Sequence, residues 1–143
     1  MRGIKFRGMD ANRKWHYGYY VFQRKRTGVF GQQVTEFDHD RHLICDQTIG
    51  EFYEVDPETV GQYTGLKDEN CKEIYEGDIV CFVIFDYNGS DTQYKGVVKW
   101  ENAMFEIWHD ADSEYYNTDG AFVLAWAHGQ DDEFEVIGNI YDV

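Results

Sequence analysis

The densest group of side chains that could ligate a metal ion lies in a short polar segment. His39, Asp40 and His42, preceded by Asp38, combine imidazole and carboxylate groups, which together can hold a divalent ion. The segment shows no helical pattern that would place these groups on one face, and nothing in the sequence fixes a further ligand. We therefore interpret it as a solvated loop and predict no metal site. A metal-dependent hydrolase that uses His39 or His42 stays as an alternative.

Two clusters of carboxylates are the other candidates for metal binding. Asp110, Asp112 and Glu114 alternate along the chain, so that a strand would place all three on one face, as a calcium or magnesium site requires. Residues 131–133 (Asp-Asp-Glu) form the second cluster. Neither cluster has the glycine and terminal glutamate of an EF-hand loop. We interpret both as solvated loops.

The sequence offers no arrangement typical of nucleophilic or phosphate chemistry. Its two serines, Ser90 and Ser113, lie in polar loop-like stretches without the context of a nucleophile elbow. Glycine-rich phosphate loops are also missing from the sequence. We therefore predict no catalytic residues and no cofactor.

The composition indicates a folded domain in a reducing compartment. The chain has 143 residues, of which 43% are hydrophobic and 17% aromatic, so it can bury a core as one ordinary domain or two small ones. Three widely spaced cysteines, Cys45, Cys71 and Cys81, are interpreted as free thiols. The charged opening residues 1–10 lack the apolar stretch of a signal peptide. Together these features predict a cytoplasmic protein.

The charge excludes several partners. Thirteen Lys and Arg residues against 27 Asp and Glu residues give a net charge of −14, which repels a phosphate backbone. We therefore expect no direct nucleic-acid binding. No stretch approaches the roughly 20 apolar residues of a membrane helix, so we expect no membrane association. Residues 1–26 are basic, with Asp10 as their single acid. We interpret this asymmetry as complementing another part of the molecule or a neighbouring subunit.

The hydrophobic pattern predicts short strands and little helix. Alternating or continuous apolar runs mark the strands, which are residues 4–7, 15–22, 51–55, 78–85, 94–100, 103–109 and 134–141. Residues 121–127 could be a strand or a short buried helix, and the flanking glycines favour the strand. Asp56 and Pro57 predict one helical turn. Residues 31–50 show the weakest secondary-structure pattern and are interpreted as a loop flanked by short strands.

These elements predict a mainly β fold in two parts. Five closely spaced strands after residue 72 are about the number of a small SH3-like barrel, assigned to residues 72–143. The earlier strands form a β-rich subdomain, residues 1–71. Within it, aromatic side chains crowd the second strand and occupy both of its faces, so that either one face is a contact surface or a second sheet covers both. They are the predicted interaction surface: Trp15, Tyr17, Tyr19 and Tyr20.

Three segments of the sequence resemble the YopX family, in the order in which that family has them. Residues 56–68 (DPETVGQYTGLKD) and 72–80 (KEIYEGDIV) are similar to its central signature. Residues 4–7 followed by Asp10 are similar to its N-terminal motif, and residues 134–141 (FEVIGNIY) to its C-terminal motif. The resemblance implies a phage or prophage protein of a bacterial host. It supplies no catalytic residues, because the family has no assigned molecular function.

The central motif has a structural interpretation of its own. Its glycines permit bends, and its small polar side chains can bond nearby amides. The residues assigned this role are Gly61, Thr64, Gly65, Asp68, Gly77 and Asp78. Cys71 departs from the family pattern, which favours glycine there. It implies a different turn type or mild strain.

Three functions therefore remain open. The first is a phage accessory protein that acts through protein contacts, as a homo-oligomer and with an unknown host or phage protein. The second is an acidic mimic of DNA that occupies a host nucleic-acid-binding protein. The third is the metal-dependent hydrolase that uses the histidine and acidic segments.

Overall fold

A computed structural model describes residues 4–24, 39–85, 89, 91–101, 103–109, 121–130 and 133–142. The chain divides into two compact units, Met1–Gln62 and Tyr63–Val143. The boundary that was predicted after residue 71 falls inside the second of these units. The central motif therefore contributes residues to both.

The first unit is an antiparallel sheet with the strand order β4-β3-β2-β1-β5. A 3-10 turn, Pro57–Thr59, precedes β5, and the carboxylate of Asp56 caps it by accepting the N–H of Glu58. This confirms the helical turn that the sequence predicted. The strands are β1 (Phe6–Met9), β2 (Trp15–Gln23), β3 (Arg41–Asp46), β4 (Glu51–Glu54) and the start of β5 (Gly61–Lys67).

A five-residue turn joins β1 to β2. The carboxylate of Asp10 accepts the backbone N–H groups of Asn12 and Lys14 at 2.8 and 3.0 Å. The backbone N–H of Asp10 donates to the carbonyl of Lys14, which closes the turn. Arg13 adopts a left-handed conformation with φ of 63°. The turn thereby sets the register of the hairpin, in which Arg7 lies opposite Tyr17.

The second unit holds a five-stranded antiparallel sheet with the order β10-β9-β8-β7-β11, and a separate pairing of β5 with β6. A helix, α1 (Leu124–Gln130), links β10 to β11. The strands are β6 (Glu73–Tyr75), β7 (Asp78–Phe85), β8 (Asp91–Glu101), β9 (Met104–His109), β10 (Ala121–Val123) and β11 (Glu135–Asn139).

The core of the second unit follows from alternation along these strands. Val80 and Phe82 on β7 lie on the same face as Val98 on β8 and Ile107 on β9, and all four are buried. Phe82 stacks on the ring of Phe134 with centroids 5.3 Å apart. Burying such large side chains stabilises the fold by about 1.5–3 kcal/mol each.

The mainly β prediction is confirmed, and one predicted element is partly wrong. Residues 121–127 were favoured as a strand, but β10 ends at Val123 and α1 begins at Leu124. Leu124 and Ala127 are three residues apart and both buried, because a helix places residues at this spacing on the same side, here the side that faces the core. A register shift between Val136 and Gly138 marks an irregularity in β11.

Within the described residues, β10 and β11 are the edges of the five-stranded sheet, and no pairing between them closes it into a barrel. The described part of the chain has no helix with the length and apolar character needed to cross a membrane.

Gly18 is required where β2 approaches β3. A Cβ atom built on Gly18 would lie 1.8 Å from the backbone carbonyl oxygen of Cys45, and backbone cannot turn away as a side chain can. We expect Gly18→Ala to lower the free energy of unfolding by about 1–3 kcal/mol, measured by urea denaturation. Gly129→Ala is the control, because a Cβ there meets nothing within 4 Å in the helix α1. An equal, small effect of both changes would contradict this explanation.

Candidate functional site

The two faces of β2 separate the aromatic residues that the sequence grouped together. Alternation places Trp15, Tyr17 and Tyr19 on one face and Tyr20 on the other. Tyr17 and Tyr19 are 45% and 52% exposed. Trp15 is half-buried because the guanidinium of Arg7 lies over its ring, 4.5 Å from the centroid. Of the four residues of the predicted interaction surface, Tyr17 and Tyr19 are therefore the two that are exposed on this face.

Tyr20 belongs to the opposite face and has a different environment. Its hydroxyl bonds Nδ1 of His42 on β3 through a short hydrogen bond, and its ring lies 5.8 Å from that of Phe6. Phe22 lies on this same face, with its ring 5.1 Å from His42. Tyr20 is thus held inside the sheet packing and is not available on the face of Tyr19.

Strand pairing adds a residue that the sequence did not single out. Tyr19 lies opposite Cys45, and Cys45 lies opposite Phe52, so that the three form one row across β2, β3 and β4. Residues directly opposite each other project from the same face of a sheet. Phe52 is 58% exposed. We call Tyr17, Tyr19 and Phe52 the aromatic patch.

The aromatic patch is bounded along the strands. Met9, which pairs with Trp15, and Leu43, which pairs with Val21, lie on the same face and are buried. The exposed rings therefore occupy only the middle of the face. A contained apolar area of this kind is typical of a contact surface.

The histidine segment does not assemble a metal site. His39 Nε2 donates to Glu54 at 2.7 Å, and Arg41 lies 3.6 Å from the same carboxylate. His42 instead faces Tyr20 on the other side of the sheet, because consecutive strand residues alternate. Among the residues that the structure describes, no three metal-ligating side chains converge.

Most of the remaining candidates for metal binding lie outside the described residues. They are Asp38, Asp110, Asp112, Glu114, Asp131 and Asp132. Glu133 is described and is exposed.

A buried histidine, His16, supports the turn of the first hairpin. Its Nε2 lies 2.7 Å from the carboxylate of Asp10, and its ring stacks on that of Tyr53 with centroids 3.9 Å apart. The hydrogen bond from His16 is the main cause that holds the pKa of Asp10 below its usual value. The Tyr53 hydroxyl donates to Glu51, which raises the pKa of Tyr53. The group ties β2 to β4 on the face opposite the aromatic patch.

Asp68 anchors the central motif. It is buried, and its Oδ1 accepts the N–H groups of Asn70 and Lys72, both at 2.9 Å. Its Oδ2 accepts the N–H of Val136 on β11 at 3.0 Å. Three backbone donors on one carboxylate fix the turn that it closes.

The other residues of the motif also contact backbone. The hydroxyl of Thr64 donates to the carbonyl of Ile74, and buried Asp78 accepts the N–H of Tyr75. Gly65 and Gly77 have φ of 89° and 88°, in the left-handed region that favours glycine. Gly61 is buried and pairs with Arg7 of β1.

The turns at Asp10 and Asp68 are the same structure, made twice. Both sequences read D-x-N-x-K, and in both the carboxylate accepts the N–H groups two and four residues later. The fourth position is left-handed in both, with φ of 63° at Arg13 and 62° at Cys71. The sequence signal was present, but it becomes visible only when the two hairpins are compared.

Comparison with protein families gives one match. A family model described as YopX protein matches residues 5–143. None of the curated proteins matches this sequence.

We expect the contribution of Asp10 to depend on pH. Because its folded pKa is lowered, the carboxylate stabilises the protein above the ordinary carboxyl pKa, and this stabilisation is lost as the pH falls through the folded value. The difference in unfolding free energy between wild type and Asp10→Asn should therefore be full at neutral pH and shrink below about pH 4. Urea denaturation across this range measures it, and a difference independent of pH would contradict the assignment.

We expect Cys71→Gly to stabilise the protein. A residue with a Cβ is strained at φ of 62°, and glycine is not, although glycine costs more entropy on folding. The expected gain in unfolding free energy is about 0.5–1 kcal/mol. Cys71→Ala keeps the Cβ and is the control, with no gain expected. Thermal and urea unfolding measure the stability of both variants. A loss of stability in the glycine variant would show that the turn tolerates Cys71 without strain.

Proposed function

Because the chain belongs to the YopX family over residues 5–143, we propose that it is a phage or prophage accessory protein that acts through protein contacts and self-association. It works in the cytoplasm of the bacterial host, where its three cysteines stay as free thiols. We assign it no catalytic residue and no cofactor.

The aromatic patch is the observation that carries this proposal. Three large rings are about half exposed or more on one sheet face, where strand pairing places Tyr19 and Phe52 in a single row. Tyrosine and phenylalanine rings supply much of the energy of protein interfaces, because they bury a large area with few rotatable bonds. Exposing these rings to water is unfavourable in the free protein, and burying them against a partner gives a favourable free energy of binding.

The second unit is proposed to be an SH3-like fold. The strand order β10-β9-β8-β7-β11, with the short helix α1 before the last strand, supports this description. The last strand, β11, returns to pair with the first, β7. A fold of this kind does not by itself specify a function, which has to be argued from a site.

An acidic mimic of DNA is the second candidate, and the distribution of charge favours it. Residues 63–143 hold 18 acidic and four basic residues, whereas residues 1–62 hold nine of each. Three of those acids, Asp68, Asp78 and Glu106, are buried and cannot imitate phosphates on a surface. A complex with a basic DNA-binding protein that weakens steeply with salt would support this candidate over the first.

We expect the double variant Tyr19→Ser, Phe52→Ser to lose its protein contacts. Quantitative affinity capture from host lysate should recover at least about tenfold less of any specific partner with this variant than with wild type. Both side chains are exposed, so the unfolding temperature should change little.

Phe22→Ser is the matched control for this experiment. Phe22 lies on the same strand and is 46% exposed, but it projects from the opposite face. The control should capture the same partners as wild type. Equal capture by all three proteins would remove the aromatic patch from the proposed function.

A further inference from the structure

We propose that the partner of the aromatic patch is the same patch of a second copy of this chain, related by a two-fold axis that runs parallel to the strands. This inference rests on the proposed function and specifies its first partner. It assigns a geometry: the axis passes over β3, so that Cys45 faces Cys45 of the second copy.

The row of side chains across the sheet suits this symmetry. Tyr19 on β2 and Phe52 on β4 lie one strand to either side of Cys45. A two-fold axis over β3 exchanges the two sides, so Tyr19 of each copy meets Phe52 of the other. Two aromatic pairs then flank the axis, while the small half-buried thiol leaves room at the centre.

One pair of opposite charges on this face meets under the same rotation, while Arg41 of β3 faces Arg41 of the second copy and keeps its contact with Glu54 of its own chain. Lys5, which precedes β1, lies on one side of the row, and Glu54 of β4 lies on the other. The rotation brings Lys5 of one copy to the outer side of the partner β4, within reach of its Glu54. The Glu54 side chain is 45% exposed although it also contacts His39 and Arg41, so it can accept a further cation.

The overall charge indicates why a second copy would meet at this face. Each chain carries −14, which keeps copies apart wherever their acidic surfaces approach. Residues 1–62 balance nine cations with nine acids, so the first unit adds no net repulsion. The aromatic patch lies within that neutral unit, where burying the rings can outweigh what repulsion remains.

The native cysteines provide the test. Packed sheets lie about 10 Å apart, a distance that a short bismaleimide reagent spans between two thiols on the axis. Three single-cysteine proteins are compared, which keep Cys45, Cys71 or Cys81 and carry serine at the other two positions. We expect a covalent dimer from the Cys45 protein alone. Labelling with a monofunctional maleimide checks that all three thiols react.

Substitutions on the Cys45 background test the contacts. Tyr19→Ser should reduce the yield of covalent dimer and weaken the dimer in sedimentation equilibrium by at least about tenfold. Phe22→Ser should leave both unchanged. Lys5→Glu and Glu54→Lys should each weaken the dimer several-fold, and the double exchange should restore it.

Three results would overturn the inference. They are a chain that stays monomeric at the highest attainable concentration, cross-linking through Cys71 or Cys81 in place of Cys45, and a double charge exchange that restores nothing. If the chain is monomeric but the patch variant still loses capture of a host protein, this inference fails and the proposed function stands. If capture is also unaffected by the patch variant, both fail.

Discussion

A carboxylate that accepts backbone N–H groups inside a five-residue turn is the constraint on which both units depend. In the second unit, Asp68 closes the turn after β5 and reaches Val136 on β11, so one side chain holds together segments that are 68 residues apart. In the first unit, Asp10 closes the β1–β2 hairpin and bonds His16. In each turn the backbone donors replace the water that the carboxylate loses. The register of the first hairpin, and with it the face on which the rings of β2 lie, follows from this turn.

Local pattern was enough to predict most of the strands. Residues 78–85 form a near-continuous apolar run and are β7 to the residue, and residues 103–109 differ from β9 by one. The pattern was less informative where one apolar segment contains both a strand and a helix. Residues 121–127 are apolar throughout, so periodicity could not separate the three strand residues from the helix that follows. In the unreadable polar stretch 31–50, Leu43 and Ile44 proved to be the centre of β3.

The candidate site was predictable only in part, because it depends on pairing between distant strands. Alternation on β2 was visible in the sequence, yet which face is open depends on what the neighbouring strands bury. Phe52 enters the aromatic patch through two pairings, with Cys45 and through it with Tyr19, that no local pattern contains. His39 precedes β3 and bonds Glu54, whereas His42 on β3 bonds Tyr20, so the two histidines do not converge. Cys71 shows the reverse case, where a departure from the family pattern marked a position that has a positive φ angle.

The uneven distribution of acids has an electrostatic consequence. Residues 63–143 hold 18 acidic and four basic residues, whereas residues 1–62 hold equal numbers of each, so the net negative charge lies in the second part of the sequence. Near a polyanion such as a nucleoprotein, electrostatic repulsion acts on residues 63–143 and largely spares residues 1–62. Added salt would weaken this repulsion without changing any contact inside the fold.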